Sequence, residues 1–245
     1  MTDNAVHAVT SNQDGLYKNL DETVRKYIAT RFLRPIADHT REAFGVAKDY
    51  VKSFYEKNGN KVSGNAEGFR IVLDSGCGAG ESTLHLARRF PGIPVIGVDK
   101  SAVRLNKAGN EHQQQAAGTD QPANAFWIRA ELLDFWRLAQ EEVLAGNWII
   151  EHHAVFYPNP WPKESEAGRR FHLHPIFPTL LSLSPVTELR TNWDIYAQEF
   201  AEAARIVNTS ATVVCESFNP ENPETAFERK FKEAGQQLWR TLVRK

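Results

Sequence analysis

The sequence predicts a doubly wound α/β fold with a seven-stranded, mostly parallel sheet, preceded by an N-terminal helical extension. Three observations carry this. From residue 69 onward short apolar runs alternate with stretches of helical periodicity. The first run passes into a glycine-rich turn that opens a helix. The second run closes on an acid, Asp99, 19 residues after Gly80.

Residues 1–68 read as the helical extension, and residues 69–245 as the α/β domain. Val24, Tyr27 and Ile28, then Phe44, Ala47, Val51 and Phe54, fall at helical spacing. Pro35 separates the two helices, and "KNGNKVSGNAEG" reads as a Gly/Asn linker. "FRIVLDSG" is the first strand, followed by the helix "ESTLHLARRF". "IPVIGVDKS" is the second strand, followed by the helix "AVRLNKAGNEHQQQ". "AAGTDQPANA" has no periodicity and reads as a surface loop. "AFWIRAELLDFWRLAQEEV" gives a third strand and helix, and "NWIIEHHAVFYPNPW" a fourth strand. "VTELRTNW" and "ATVVCESF" are strands with the helix "WDIYAQEFAEAARIV" between them, and "GQQLWRTLVRK" is expected as a final edge strand.

Composition excludes several classes. The 245 residues carry a formal net charge of -1, so any nucleic-acid binding rests on a local patch. Cys77 and Cys215 make neither a disulfide framework nor a metal cluster, which suits a reducing cytosol. No apolar run approaches the roughly 20 residues that span a bilayer, and no signal-peptide pattern opens the chain. A soluble, cytoplasmic protein is expected, without membrane attachment and without a metal.

"LDSGCGAGES" holds glycines at positions 76, 78 and 80, where missing side chains allow a sharp turn and close approach to a ligand. The plainer reading is a tight strand-to-helix turn. Asp74 stands just before the glycines, where a carboxylate would repel a pyrophosphate but suit a cationic ligand. Asp99 is placed to accept both hydroxyls of a ribose. S-adenosylmethionine (AdoMet), with a sulfonium, an amino group and no phosphate, answers this pattern. Ala130 and Glu131 fall where an adenine edge would meet backbone groups, and Cys77 reads as a small residue lining the pocket.

"VFYPNPWPK" crowds three prolines and three aromatics around Asn159 at the end of the fourth strand. Prolines delete ladder donors, so the strand stops here. In a doubly wound sheet ligands collect beyond the carboxyl ends of the strands. Pro158 and Pro160 would fix the backbone, and Trp161 or Tyr157 could stack on a planar base, worth roughly 1–3 kcal/mol. A Pro-rich surface loop is the alternative. Lys163, Arg169 and Arg170 form a basic cluster suited to phosphate contacts. His152, His153, His172 and His174 have no convincing metal spacing and read as structural or RNA-contacting.

"LDSGCGAGES", "VIGVDKSAVRL", "YPNPWPK…RR", "LRTNWDIYAQEFA" and "ETAFERKF" resemble, in this order, the bacterial tRNA (guanine-N-7)-methyltransferases. The resemblance runs from about Asp74 to the C-terminus and does not extend closely to residues 1–68. It implies a Rossmann-like class I AdoMet-dependent methyltransferase that modifies a variable-loop guanine in tRNA; separately, a monomer or homodimer is expected. It matches Asp74 and Asp99 to cofactor-binding acids and brings Glu131 near another cofactor position. Asn159 falls where the family usually has a catalytic aspartate, and Lys163 on a substrate-binding lysine. Asn192 falls where an aspartate usually contacts substrate. Thr225, Phe227 and Glu228 match a T-K-F-E substrate motif whose lysine is Ala226 here. Two carboxylates are therefore amides. Guanine N7 is itself the nucleophile, so alignment is the main demand, and an amide keeps one acceptor while losing the charge. Two alternatives stand beside this reading. The [DN]-P-P-[YFW] pattern of amine methyltransferases is approached, one proline short, and a non-catalytic AdoMet- or RNA-binding protein fits the lost carboxylates.

Overall fold

Strand β1, Phe69–Ser75, is buried from Ile71 to Ser75, and β2, Val95–Asp99, is buried throughout. Runs apolar on both faces belong in the middle of a covered parallel sheet. The computed structural model describes residues 8–58, 68–106 and 122–245. Its elements are α1 (Leu20–Ile28), α2 (Asp38–Lys57), β1, α3 (Glu81–Arg89), β2, β3 (Ala125–Arg129), α4 (Leu132–Leu144), β4 (Trp148–Phe156), two short 3-10 turns, α5 (Phe177–Ser182), β5 (Val186–Thr191), α6 (Asp194–Val207), β6 (Thr212–Phe218), α7 (Ala226–Glu233) and β7 (Leu238–Arg244). The helix expected from residue 102 is described as far as residue 106. The rest of it, most of the loop after it and most of the Gly/Asn linker lie outside the described residues.

The seven strands make one mostly parallel sheet in the order β3-β2-β1-β4-β5-β7-β6, the doubly wound arrangement expected. β1 pairs in parallel with β2 and with β4, setting Asp74 opposite Gly97 on one side and Ala154 on the other. Strand order reverses between β1 and β4, the switch point where such sheets bind ligands. One expectation is corrected. The C-terminal strand β7 is not an edge: it runs antiparallel between β5 and β6. Leu238, Thr241 and Val243 on it are buried, which a strand with two partners can satisfy. The rim falls to β6, whose Val214 is exposed.

The chain forms two compact units, Met1–Leu33 with Val155–Leu181 and Val186–Lys245, and Arg34–Ala154 with Ser182–Pro185. In the first, α1 packs against α6 through Leu20 and Val24. Ile28, expected to share that face, is exposed at the end of the helix. In the second, α2 packs on α4 and β3, and Phe44 meets Phe135 and Trp148 with ring centroids 5.0 Å apart in each case. Tyr55, not Phe54, completes the buried stripe of α2. The buried carboxylate of Asp134 accepts from Ala37 N at 3.1 Å and Arg34 at 2.9 Å, capping α2 from outside the helix. No helix of the described residues is long and apolar enough to cross a membrane.

Candidate active site

The glycine turn is built on the end of β2. Gly76 N and Cys77 N donate to Val98 O at 2.8 and 3.2 Å, Gly80 N to Cys77 O at 2.9 Å, and Gly78 N to Asp99 Oδ2 at 3.1 Å. All three glycines have positive φ, 82°, 59° and 82°. At Gly80 a Cβ would also fall inside the indole of Trp127, so Trp127 closes that turn. Asp74, 1% exposed, accepts from Ser82 Oγ and Thr83 Oγ1, both at 2.7 Å. Both hydroxyls belong to the first turn of α3. Asp99, also buried, accepts from Ser101 N at 2.7 Å and takes a longer contact, 3.4 Å, from Arg104. Burial, with Asp74 and Asp99 nearby, pushes the Cys77 thiol well above its usual range, so it is no nucleophile.

Ala130 and Glu131 follow β3 as expected, but their N–H groups are already committed. Ala130 N donates to Asp99 O at 3.2 Å, and Glu131 N to Thr40 Oγ1 at 3.4 Å. An adenine edge would therefore find no free N–H at either position.

The amide loop, in the other unit, begins where Tyr157 N donates to Arg190 O at 2.8 Å. Tyr157 and Trp161 have φ of 50° and 45°, the only non-glycine residues with positive φ among the described residues. Bulky side chains in this region cost about 1–2 kcal/mol each, and such strain concentrates at functional sites. Between them Asn159 is exposed, its Oδ1 accepting from Trp161 N at 3.5 Å. Lys163 and Arg169 are exposed, and the Arg169 guanidinium lies 4.4 Å from the Trp161 ring centroid. Tyr157 is half-buried. Its ring lies 5.6 Å from that of Phe231, and burial, with Glu228 beside it, pushes its hydroxyl far above the usual range.

Two expected substrate contacts are instead interior. Arg170 is 0% exposed and paired with Glu199 at 2.8 Å, so it offers nothing to a phosphate. Glu228 is equally buried, bonded to Arg190 at 2.9 and 3.3 Å, and Arg190 also pairs with Glu188 at 2.7 Å. Burial raises the Glu228 carboxyl, with Arg190 pulling against it. The T-A-F-E stretch explains itself locally: Thr225 caps α7 by accepting from Glu228 N at 3.0 Å, and Glu228 reaches back to Glu224 N at 3.3 Å. Phe227 is exposed and stacked on Phe231. Asn192 donates to Gln236 Oε1 at 2.9 Å. The histidines are held by protein groups: His153 by Ser75, His152 by Arg89, His172 by Glu199, and His174 by Ile176 N. Among the described residues no group of three His, Cys, Asp or Glu could hold a metal ion.

A family model, Methyltransf_4 ("Putative methyltransferase"), matches residues 69–241, from the first residue of β1 into β7. The chain belongs to the Methyltransf_4 family. Within it the chain is similar to proteins named tRNA (guanine-N(7)-)-methyltransferase. That of Thermotoga maritima is 27% identical over 72% of this chain and 54% of its own length. That of Mycolicibacterium paratuberculosis is 32% identical over 67% and 62%, and that of Halorhodospira halophila 28% over 71% and 74%. The chain thus spans a little over half of the first two relatives. A solved structure named "Structure of an Antibiotic Related Methyltransferase" aligns at a TM-score of 0.51 and 12% identity, over 81% of this chain and 94% of that one, which speaks to the fold alone.

The structure gathers Asp74, Gly76, Gly78, Gly80 and Asp99 at one turn, and Asn159 and Lys163 in one loop, with Arg169 against its Trp161 ring. Sequence reasoning missed Glu199, Arg190 and Gln13. Glu199 had a readable signal: on α6 it lies on the same stripe as the buried Tyr196, Phe200 and Ala203, and a carboxylate on an apolar stripe needs a partner.

Proposed function

We propose that this Methyltransf_4 protein is an AdoMet-dependent tRNA methyltransferase that acts at N7 of a variable-loop guanine. The observation that carries the cofactor half is the state of the glycine turn. Its N–H groups at positions 76, 77, 78 and 80 are spent on protein oxygens, and two buried carboxylates flank it. A phosphate needs free N–H groups and no nearby anion. A ligand with an ammonium, a sulfonium and a ribose diol suits the same turn. Asp99 would hold the ribose, exchanging its long Arg104 contact for hydroxyls, and Asp74 would act as a fixed charge favouring the cationic end.

When bound, AdoMet supplies a methyl carbon whose bond to sulfur breaks as the new bond to N7 forms, with the electron pair left on sulfur. Guanine N7 has no proton to lose, so the protein's task is alignment and charge compensation. Asn159 would accept from the Watson–Crick edge of the base through Oδ1. As a neutral amide it compensates less charge than a carboxylate, so a slower reaction is expected than with an aspartate. Lys163 and Arg169, both exposed, would steer phosphates. The protein is proposed to work in the cytoplasm, as a monomer or homodimer. The guanine assignment is supported by the names of the relatives and by an amide at the aspartate position, which retains an acceptor.

The test is incubation with labelled AdoMet and total tRNA, then nucleoside digestion and mass spectrometry. 7-Methylguanosine is expected. A label on an exocyclic amine would favour the amine reading, and no transfer by wild type or Asn159→Asp, with AdoMet still bound, would leave a binding protein. Separately, Asp99→Ala is expected to abolish AdoMet binding in calorimetry; unchanged affinity would remove the ribose assignment.

A further inference from the structure

The two adjacent arginines after the amide loop do opposite things. Arg169 covers the Trp161 ring from outside, its guanidinium 4.4 Å from the ring centroid. Arg170 holds the Trp161 backbone from inside. Its Nε and Nη2 donate to Trp161 O at 3.2 and 3.0 Å, and its Nη1 to Glu199 Oε2 at 2.8 Å and Gln13 Oε1 at 3.0 Å. The same guanidinium lies 4.8 Å from the Trp193 ring centroid. Glu199 is fixed in turn by Gln13 Nε2 at 2.6 Å, Tyr17 N at 2.7 Å and His172 Nε2 at 2.7 Å. The N-terminal segment adds two more ties to the loop, Ser11 Oγ to Pro162 O at 2.6 Å and Glu164 N to Asn12 Oδ1 at 3.1 Å.

Trp161 sits at φ 45°, a conformation an L-residue keeps only when its surroundings over-determine it. A forked guanidinium on its carbonyl does this, because two donors on one acceptor fix the direction in which the peptide plane faces. That plane, Trp161–Pro162, meets the Pro160–Trp161 plane at the Trp161 Cα, so holding it at the left-handed φ also sets the Trp161 N–H, the partner of Asn159 Oδ1 at 3.5 Å. We infer that Arg170, locked by Glu199 and Gln13, is a positioning residue that sets the left-handed backbone at Trp161 and through it the orientation of the Asn159 amide. The inference rests on the reading of Asn159 as the group that meets the base.

Arg170→Lys is the sharpest variant. Lysine keeps a cation for Glu199, but a point donor cannot fork across Trp161 O and Glu199 together. Single-turnover methyl transfer to tRNA is expected to fall about 10- to 100-fold, the scale of a small misplacement, with the KM for AdoMet unchanged. In an Asn159→Ala background the same substitution is expected to cost little more, since the group it positions is gone. An equal loss in both backgrounds would make Arg170 merely structural and overturn the inference. A second readout needs no activity. Hydrogen exchange across residues 157–163 is expected to rise in Arg170→Lys, and in the milder Gln13→Ala should the first variant fold poorly, while residues 194–207 keep their protection. Unchanged exchange in the loop would also overturn it. Wild-type protein that transfers no methyl to tRNA would end the tRNA reading alone, and the exchange result would still decide for or against Arg170.

Discussion

The glycine turn and the amide loop both need backbone in the left-handed region, and they reach it by opposite means. In the turn, Gly76, Gly78 and Gly80 adopt φ of 82°, 59° and 82° with no Cβ to object. In the loop, Tyr157 and Trp161 adopt φ of 50° and 45° with two of the largest side chains available. The turn is comfortable by composition. The loop is uncomfortable and is held there, Tyr157 beside the Arg190–Glu228 pair and Trp161 by the Arg170–Glu199 pair. Glycines adopt this backbone without strain, whereas a strained aromatic loop exists only while the buried groups beneath it stay assembled. This contrast teaches where each half is vulnerable.

The largest effect should come from removing a support of the loop. Glu199→Ala leaves the Arg170 guanidinium buried without its carboxylate, and a loss of about 3–5 kcal/mol is expected in urea denaturation. A loss below about 1 kcal/mol would break the contrast, because the loop would then need no buried pair.

Acid should reach the same support more gently. Burial opposes ionisation of Glu199, but His172 and Arg170 outweigh it and hold its carboxyl at about 2, below the ordinary value of 4.5. A depressed carboxylate contributes stability that is fully present above its unfolded value and is lost as pH falls towards the folded one. Burial lowers His172 below its usual 6.5, so its share of stability is lost from about pH 6.5 downward. Stability is therefore expected to decline below pH 6.5 and most steeply between about 4.5 and 2. Glu199→Gln should flatten the lower part of that curve, and a parallel curve for the variant would exclude Glu199 as the cause.

In the turn the expected costs are smaller and purely steric. Gly80→Ala forces a Cβ onto a residue at φ 82° and into the Trp127 indole, for roughly 1–3 kcal/mol. Gly92 has the similar φ of 79° with nothing near its missing Cβ. Gly92→Ala should thus report the backbone term alone, about 1 kcal/mol, and equal losses at both sites would show that Trp127 yields. Smallest of all should be Trp161→Gly. It relieves about 1–2 kcal/mol of left-handed strain while losing an exposed cation–π contact of about 0.5–1 kcal/mol. Thermal denaturation should change by no more than about 1 kcal/mol, and a large loss would mean the indole packs for more than Arg169.

Much of the fold was legible because its signals are local. Continuous apolar runs named β1, β2 and β4, the glycines named the turn, and Asp99 at the end of β2 was found from spacing. The exceptions have physical reasons. Whether β7 is an edge depends on pairing with residues far away in sequence, and "GQQLWRTLVRK" carries nothing that counts its neighbours. Arg170 reads as part of a basic surface cluster because charge is usually solvated, and Glu228 enters only through the resemblance to a substrate motif. Their burial depends on Glu199 and Arg190, which are 29 and 38 residues distant. The T-A-F-E stretch was read through its resemblance alone, although Thr225 and Glu228 also carry the spacing of a capping box.

By itself the sequence determined the strand and helix alternation, the glycine turn and the acid beyond it, because each follows from backbone freedom or periodicity over a few residues. Only the tertiary structure decided which charges go inside, which strand closes the sheet, and how Tyr157 and Trp161 come to sit in a region their side chains disfavour. Those outcomes depend on desolvation and on partners brought from distant parts of the chain.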